Sequence, residues 1–466
     1  MKKDFNSGYL YLIALVSAMG GFLFGYDWVV IGGAKPFYEQ FFGIAHQPYL
    51  QGWAMASALV GCLAGVSLSG ALSDRYGRKN LLITAAALFI VAAVGTGATE
   101  SFAVFNVYRL LGGVGIGVAS NVSPIYIAEV SPTHIRGRFV SLNQLTIVLG
   151  ILSAQVTNWL IADKVAPGAT AADILASWNG QMGWRWMFWA GAAPAGLFFL
   201  LMFFVPESPR WLAVKGRYAR AGHIFTRIVG KERAGAALES IKAASQQSAV
   251  PQAGLRPLLH PRLRKALAIG VALAVFQQWC GINVIFNYAQ EIFSAAGYDV
   301  SDILMNIVVT GVTNVVFTLV GMQLVDRIGR RALLLLGACG LTLIYATLGA
   351  CYFAGMQGVA MLALVVLAIA CYAMTLAPVV WVVLSEIFPT RIRGAAMAVA
   401  TFALWTACTL LTYTFPLLNS GLGAAGTFWV YGAICLAGLI FVRAMLPETK
   451  GKSLEEIESS LCGAKE

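Results

Sequence analysis

Twelve apolar runs, each long enough to cross a lipid bilayer, constrain this chain more than any other feature. A membrane-spanning helix needs about 20 apolar residues, and the runs do not alternate at every second residue as β-barrel strands do. Hydrophobic residues make up 59% of the 466 residues and charged residues only 11%, which excludes a soluble enzyme and a disordered protein. The predicted spans are 9–33, 50–72, 80–99, 103–127, 139–162, 185–205, 266–293, 303–325, 332–354, 359–385, 395–418 and 425–446.

The basic residues predict how these spans are oriented. Twelve of the 32 lysines and arginines lie between Arg210 and Lys265, and most others cluster in every second loop. The opposite loops hold only Lys35, Lys164 and, at a span boundary, Arg185. Because basic residues concentrate on the cytoplasmic side, we expect both termini in the cytoplasm. The formal net charge of +11 then reflects topology, and we expect no nucleic-acid partner.

Three short motifs occur twice in the same order, which indicates an internal repeat. Both halves begin on the same side of the membrane, so the repeat is parallel, as in one class of transporters. The paired motifs lie at 74–78 and 326–330 (DRxGR), 129–137 and 386–394 (Glu followed by IRG), and 206–208 and 447–449 (Pro-Glu-Ser/Thr). We therefore predict four regions. They are a six-helix bundle at 1–206, a cytoplasmic helical linker at 207–265, a second six-helix bundle at 266–446 and a cytoplasmic tail at 447–466.

Four motifs together resemble the sugar porter family of the major facilitator superfamily. They are Asp74–Lys79 (DRYGRK), Pro206–Trp211 (PESPRW), Gln277–Asn283 (QQWCGIN) and Pro447–Gly451 (PETKG). The family includes bacterial proton/sugar symporters of the xylose and hexose types and animal glucose facilitators. The resemblance extends over about residues 9–458. It implies an all-α fold of twelve transmembrane helices in two six-helix bundles related by a parallel pseudo-two-fold axis.

Two ionisable residues, Asp27 and Arg109, lie inside apolar spans of the first half. An intramembrane charge is costly and usually functional, and pairing reduces its cost. Burial favours the protonated form of Asp27 whereas a nearby arginine favours the ionised form, so alternating exposure can load and release a proton. The resemblance implies this proton-coupling role for both residues, although Gly191 replaces a further acid of the xylose-type symporter. The alternative is a static ion pair.

Side-chain amides inside several spans predict a sugar site. Sugar hydroxyls both donate and accept hydrogen bonds, as amides do, and aromatic rings can cover the apolar faces of a sugar. Gln278 and Asn283 are too far apart for one straight helix face, and Gly281 between them favours a helix break. The alternative is hydrogen bonding between helices. The residues that we expect to contact the sugar, which the resemblance also implies, are Phe24, Gln144, Gln277, Gln278, Asn283, Asn287, Asn314, Trp381 and Trp405.

Charged motifs at the cytoplasmic helix ends predict a gate. Arginines form bidentate bonds with carboxylates, and a latch that forms in one state only would bias a two-state equilibrium. The resemblance implies an inner gate that closes in the outward-facing form. The alternative is topology plus helix capping, with little energetic effect. The predicted gate residues are Asp74, Arg75, Arg78, Glu129, Arg136, Glu207, Arg210, Asp326, Arg327, Arg330, Glu386 and Arg393.

These features predict proton-coupled symport of a neutral monosaccharide, a hexose or pentose such as glucose, galactose or xylose. We expect a multi-pass protein of the inner cell membrane that contacts the lipid bilayer, acts as a monomer, and binds no cofactor or metal ion. The alternatives are a facilitator without proton coupling and a non-transporting sugar sensor. Sensors carry long cytoplasmic tails, whereas about twenty residues follow the last span here. A membrane enzyme is less favoured, because no catalytic constellation is evident in the sequence.

Overall fold

A computed structural model describes residues 7–132, 136–166, 168–230, 234–235, 238–239, 261–388 and 393–450. Over these ranges the chain is helical and contains no strand. Long apolar helices are the expected form, because an α-helix satisfies its own backbone hydrogen bonds where no water is available. The helices of the first half are α1 (Ser7–Phe41), α2 (Pro48–Tyr76), α3 (Arg78–Ala98), α4 (Phe102–Val130), α5 (Arg136–Ile161), α6 (Ala171–Ala176), α7 (Trp184–Ala190) and α8 (Ala192–Phe204).

Two short helices follow the sixth span, and eight more form the second half. The described helices here are α9 (Pro209–Val214), α10 (Tyr218–Val229), α11 (Pro261–Trp279), α12 (Ile282–Asn287), α13 (Ala289–Ala295), α14 (Val300–Ile328), α15 (Arg330–Phe353), α16 (Val359–Met374), α17 (Leu376–Ile387) and α18 (Arg393–Met445). A π-helical turn, Asn179–Gly183, precedes α7.

The predicted number of spans is confirmed once α18 is divided. The described residues contain 11 helical segments that are long and apolar enough to cross a membrane. The last of them lies within α18, whose 53 residues would extend about 80 Å at 1.5 Å per residue, well beyond one bilayer crossing. Gly423 interrupts α18 with non-helical angles (φ 68°, ψ 176°). The portions on either side correspond to the predicted spans 395–418 and 425–446.

Several other spans are interrupted near their centres. The seventh span breaks between α11 and α12, where Gly281 takes the left-handed conformation at φ 86°, as the sequence predicts. The tenth span breaks at Thr375, between α16 and α17, and the sixth at Gly191, between α7 and α8. Broken helices leave backbone groups that can be satisfied by side chains or ligands, and they often mark functional positions in membrane proteins.

In the described part of the charged linker, α10 forms where the sequence is amphipathic. The predicted helix at 217–228 is confirmed as α10, which buries Ala221, Ile224, Phe225 and Ile228 on one face. The Ser208 side chain caps α9 by accepting a hydrogen bond from the Trp211 N–H at 3.2 Å. The other predicted helix, at 234–245, lies largely outside the described residues.

The helices are grouped in two compact units. The first unit consists of Met1–Trp28, Val60–Ala154 and Arg185–Gln252, and the second of Val29–Leu59, Gln155–Trp184 and Ala253–Glu466. The second unit therefore holds most of the second half of the sequence together with the ends of α1, α2 and α5 that we expect on the external side. The bundle and linker boundaries predicted from the sequence stay a prediction.

The helix break at Gly281 leads to a first testable prediction. A residue with a side chain costs roughly 1–2 kcal/mol in the left-handed region. Moreover, a Cβ atom at this position would lie 2.8 Å from Cγ of Tyr431. We expect Gly281→Ala to lower thermal stability in detergent by at least about 1–2 kcal/mol. The control is Gly196→Ala in α8, where a Cβ atom would have no neighbour within 4 Å. Equal melting temperatures for both variants would contradict the prediction.

Candidate functional site

The first unit pairs Asp27 of α1 with Arg109 of α4, as the sequence predicts. Arg109 donates from Nη1 to Oδ1 of Asp27 at 2.9 Å and from Nη2 to the backbone oxygen of the same residue at 3.3 Å. Arg109 is only 2% exposed, and its guanidinium carbon lies 5.7 Å from the centroid of the Phe188 ring. Two anchoring bonds to one residue fix the arginine against α1 and leave only one carboxylate oxygen engaged.

The other carboxylate oxygen of Asp27 occupies a space that glycine keeps open. Gly112 lies one turn after Arg109 on α4, and a Cβ atom on this glycine would lie 3.3 Å from Oδ2 of Asp27. Oδ2 is buried and has no hydrogen-bond partner among the described residues. A carboxylate with one oxygen bonded and the other without a donor is suited to binding a proton.

No second acid supports this pair from the sixth span. At Gly191 a Cβ atom would lie 3.0 Å from the Tyr26 ring. The Tyr26 hydroxyl in turn donates to the backbone oxygen of Met187 at 3.5 Å. A longer side chain at Gly191 would collide with the Tyr26 ring unless that ring moved. The space beside Gly191 is thus already occupied by an aromatic side chain of α1.

The second unit gathers amide side chains around the break in the seventh span. Gln277, the third residue from the end of α11, is 2% exposed. Its Nε2 donates to the backbone oxygens of Leu376 and Ala377, each at 3.3 Å, just after the break in the tenth span. Its Oε1 is buried without a hydrogen-bond partner in the described part of the chain. The two helix breaks are therefore joined by one amide that keeps an acceptor available.

The turn at Gly281 brings together two amides that a straight helix would separate. The Asn283 Nδ2 atom donates to Oε1 of Gln278 and lies 3.5 Å from the sulfur of Cys408 on α18. One turn later Asn287 is 4% exposed, and its Oδ1 is buried with no partner among the residues described. The predicted helix break at Gly281 is confirmed, and it lets Gln278 and Asn283 bond to each other.

The remaining predicted sugar contacts are distributed over both units. Asn314 on α14 and Trp405 on α18 are each 5% exposed, and Trp381 on α17 is half-buried. These three belong to the second unit, whereas Phe24 and Gln144 belong to the first. Phe24 packs edge-on against Trp28 with ring centroids 5.8 Å apart, and Gln144 is half-buried on α5. A shared role for all nine residues stays a prediction.

The structure corrects the sequence analysis at Lys35. Lys35 was expected in a loop after the first span, but α1 continues to Phe41 and buries Lys35 to 1% exposure. Its ammonium group contacts Glu39, one turn later, and Glu291 of α13. The (i, i+4) spacing of Lys35 and Glu39 was the available signal for helix at this point. Glu291 offered no sequence signal, because its partner is 256 residues away.

The predicted gate motifs form two similar clusters, one in each unit. In the first, Arg78 binds Glu129 and Asp74, each at 3.0 Å. Glu207 accepts hydrogen bonds from the backbone N–H groups of Arg78 and Lys79 at 3.1–3.2 Å. In the second cluster Arg330 binds Glu386 at 3.0 Å. Glu448 accepts there from the N–H groups of Arg330 and Arg331 at 3.0 and 3.1 Å. The sequence repeat is thus reproduced in the contacts.

Three other predicted gate residues, whose side chains are described, form no ion pair with these clusters in the described structure. Arg75 is exposed and stacks over Tyr76 at 5.1 Å, and Arg210 and Arg327 are also exposed. The side chains of Arg136, Asp326 and Arg393 lie outside the described part of the structure. Every described ion pair of the motifs is internal to one unit, so a gating role stays a prediction.

Glu207 and Glu448, one in each cluster, differ in their electrostatics. Burial raises the pKa of Glu207 above its usual value, although backbone N–H groups of Ser208 and other residues act against this. Burial also acts to raise the pKa of Glu448. Four backbone N–H groups, including those of Lys450 and Arg330, overcome that effect and lower the pKa overall. Similar contacts therefore give opposite shifts, because Glu207 is the more deeply buried.

These opposite shifts predict opposite contributions to acid stability. An acid whose pKa is lowered by folding stabilises the protein above its unfolded value, near 4.5, and loses that contribution as the pH falls through the folded pKa. An acid whose pKa is raised by folding stabilises the protein at low pH, below its unfolded value. That contribution is lost as the pH rises through the folded pKa. As the pH falls from 7 to about 3, we expect Glu448→Gln to lose less stability than the unmodified protein and Glu207→Gln to lose more. Melting curves at several pH values test this, and shifts in the same direction would contradict it.

The described residues contain no group of three or more His, Cys, Asp or Glu side chains that could hold a metal ion. The described contacts instead consist of one buried carboxylate–arginine pair, a set of buried amides and paired charged clusters at helix ends. Such an arrangement can bind a proton and a polyhydroxylated ligand.

Comparisons with known proteins agree with this arrangement. Residues 13–461 match the family model described as "Sugar (and other) transporter". The D-xylose-proton symporter of Escherichia coli is 38% identical over 98% of this chain and 97% of its own length. The arabinose-proton symporter of Bacillus subtilis is 36% identical over 98% of this chain and 96% of its own length.

A solved structure extends the similarity to the fold. The inward-open conformation of the xylose transporter XylE from E. coli superposes with a TM-score of 0.84 at 35% identity. The match covers 97% of this chain and 100% of that one. Such agreement over almost the full length shows a common architecture. The chain therefore belongs to the sugar transporter family, is a multi-pass membrane transporter and not an enzyme, and has the twelve-helix, two-bundle fold of the major facilitator superfamily.

Proposed function

We propose that this chain is a secondary active transporter that couples the entry of a proton to the uptake of a neutral monosaccharide by alternating access. The observation that carries the proposal is the buried pair of Asp27 and Arg109, in which one carboxylate oxygen is bonded and the other is without a partner among the described residues. A buried pair of this kind inside membrane spans is costly unless its charge takes part in function.

The pair supplies the elements of proton coupling. When Asp27 is ionised, its bond to Arg109 is charge-assisted and strong. A proton on Asp27 weakens that attraction and lets the arginine, held also by the backbone oxygen of Asp27, change its contacts. Movement of one positive charge inward across the membrane gains about 2.3 kcal/mol per 100 mV of potential. Exposure of Asp27 to alternate sides would convert this gain into sugar accumulation.

The amides of the second unit support a sugar as the cargo. Gln277 and Asn287 each present a buried oxygen without a partner in the described residues, so each can accept a hydrogen bond from a sugar hydroxyl. Gln278 and Asn283 are held together beside them by the turn at Gly281. The similar proteins are named for D-xylose and arabinose, which favours a pentose or a related hexose as substrate.

The same proposal includes the membrane, the orientation and the oligomeric state of the protein. We infer a location in the inner cell membrane, in contact with lipid, with both termini in the cytoplasm and one chain as the working unit. The clustering of basic residues in alternate loops supports the orientation. The twin clusters around Glu129 and Glu386 would then face the cytoplasm. Their arginines could exchange partners as the chain opens and closes there, which is the proposed gate.

Neutralisation of Asp27 tests the coupling. We expect Asp27→Asn in proteoliposomes to abolish uphill accumulation of sugar driven by a pH gradient, because the variant cannot bind the coupling proton. Counterflow exchange of labelled sugar at equal pH should continue, since it needs alternating access but no net proton movement. The control is Asp163→Asn, an exposed acid for which accumulation should persist. Undiminished accumulation by Asp27→Asn would contradict the coupling role of Asp27, whereas failure of the unmodified protein to accumulate sugar uphill would favour a facilitator.

Truncation of Gln277 tests the sugar site. Gln277→Ala removes the acceptor Oε1 and should leave a sugar hydroxyl unpaired, at a cost of about 1–3 kcal/mol. We therefore expect KM for counterflow to rise by roughly 5- to 150-fold, converted at 1.4 kcal/mol per tenfold. Asn80→Ala is the control, because Asn80 is exposed and its amide donates only to the Tyr76 backbone oxygen. An unchanged KM in Gln277→Ala would remove this residue from the sugar site.

A further inference from the structure

Three charged side chains meet where α1 approaches the seventh span. The Lys35 ammonium group lies 2.7 Å from Oε1 of Glu39 and also donates to Oε1 of Glu291 on α13. The Lys35 and Glu39 side chains are 1% and 5% exposed, and that of Glu291 is 23% exposed. We refer to Lys35, Glu39 and Glu291 as the clasp. All three belong to the second unit, and neither the proton pair nor the amide set includes them.

The described side chains that contact the clasp are polar or aromatic. Gln51 of α2 donates from Nε2 to Oε2 of Glu39 at 3.3 Å. The Tyr288 ring centroid lies 5.4 Å from the Lys35 nitrogen, and its hydroxyl donates to the backbone oxygen of Thr412 at 2.6 Å. Tyr38 and Tyr431 lie close enough to Tyr288 to act on it electrostatically, and the exposed His46 follows the Ala45 carbonyl to which Gln51 also donates. Tyrosines are neutral below about pH 10, so these three tyrosines add no charge to the clasp.

The charges of the clasp do not balance. With all three groups ionised, two carboxylates face one ammonium group, and one buried negative charge is left over. The Oε2 atom of Glu291 is buried and has no hydrogen-bond partner in the described residues. A buried uncompensated charge is strongly unfavourable. Two carboxylates that share one site seldom both ionise, so a proton on one of them restores neutrality.

The clasp bridges elements that touch at several other points in the same unit. A Cβ atom on Gly32 of α1 would lie 3.0 Å from the backbone oxygen of Phe286. The N–H of Val165, after α5, donates to the hydroxyl of Ser301 on α14 at 3.0 Å. These contacts join the first and second halves of the sequence. They must separate for sugar to enter from the side that we propose faces outside.

Separation changes the environment of each charge differently. Lys35 and Glu39 are four residues apart on one helix, so they would remain a neutral pair. Glu291, on α13, would leave Lys35 and regain water, which favours its ionised form. The assembled clasp therefore holds one more proton than its separated parts. By linkage, low pH must favour the assembled form.

We propose that the clasp is a second proton-binding site, separate from Asp27, which takes up one proton as the outer ends of the spans close and returns it when they open. The proton comes from the external solution and goes back to it, so the clasp adds nothing to the transport stoichiometry. It makes acid on the outside hold the carrier closed on that side. The inference rests on the alternating-access transport proposed above.

Hydrogen–deuterium exchange of the full-length protein can test this without a transport assay. The Asp27→Asn variant is used throughout, so that the first proton site cannot contribute. Labelling times are scaled to the intrinsic exchange rate at each pH, and peptides covering 44–56 and 286–300 report the outer ends. We expect protection of these peptides to increase as the pH falls from 8 to 5.5, by up to about tenfold per pH unit, the limit for one proton.

Three further substitutions separate proton binding from a merely structural contact. Adding Glu291→Gln should remove the pH dependence, since the charges then balance without a proton. Adding Lys35→Met should steepen the pH dependence of protection towards about a hundredfold per pH unit. Without the lysine, closing the outer ends buries two acids, and each must take up a proton. Asp302→Asn, which neutralises an exposed acid on α14, should leave the pH dependence unchanged. Two results would overturn the proposal. One is protection of the Asp27→Asn variant that does not vary with pH, and the other is a pH dependence that is the same with and without Glu291→Gln.

The outcome is distinguishable from failure of the proposed function. Deuterium exchange reports whether the outer ends open and close, and it does so with no sugar or membrane potential present. Counterflow of labelled sugar by the unmodified protein reports transport. If counterflow is absent and protection depends on pH, the proposed function is contradicted and the clasp stands as a proton site. If counterflow is normal and protection does not depend on pH, the proposed function stands and the clasp proposal is contradicted.

Discussion

The backbone hydrogen bonds of the membrane spans constrain everything else in this structure. In a hydrocarbon environment each N–H and carbonyl group must find a partner, so uninterrupted helices are the default. The breaks at Gly281 and Thr375 are therefore costly and meaningful. Both lie in the second unit, and Gln277 connects them by donating to the carbonyl groups of Leu376 and Ala377. Gln277 thereby bonds across both breaks and keeps a buried amide oxygen without a hydrogen-bond partner in the described residues.

The internal repeat shows that shared contacts need not give shared electrostatics. Each half uses an arginine to bind a glutamate at 3.0 Å and a second glutamate to accept backbone N–H groups. Yet the pKa of Glu207 is raised and that of Glu448 is lowered. Burial dominates at the first and hydrogen bonding at the second. A symmetrical motif can thus give the two charged clusters different responses to pH.

The sequence predicted what depends on local chemistry. A charged residue in an apolar run is visible without a structure, and the pairing of Asp27 with Arg109 follows because each needs a partner. The helix break between Gln278 and Asn283 was predictable because Gly281 stands between them, whereas the hydrogen bond that joins their amides was not predicted. The interruption at Gly423 lies between two predicted spans, so the structure and the sequence agree on twelve crossings even though α18 runs through both.

What the sequence did not predict depends on distant contacts. Lys35 was placed in a loop because the first apolar run was predicted to end at residue 33. Its burial depends on Glu291, more than 250 residues away, for which no local pattern exists. Cys408 beside Asn283 was missed for the same reason. Packing between remote helices is set by the three-dimensional fold, and a single sequence records the residues but not their neighbours.

The first span carries both proposed proton sites, and they respond to external acid in opposite senses. Protonation of Asp27 on the outside prepares the carrier for inward movement. Protonation of the clasp, through Glu39 or Glu291, stabilises closure of the outer ends and so hinders the next loading step. Acid therefore supplies the driving ion and restrains the opening that admits it. Because the two effects act on different steps, the balance between them depends on which step limits transport, and α1 is the element on which both converge.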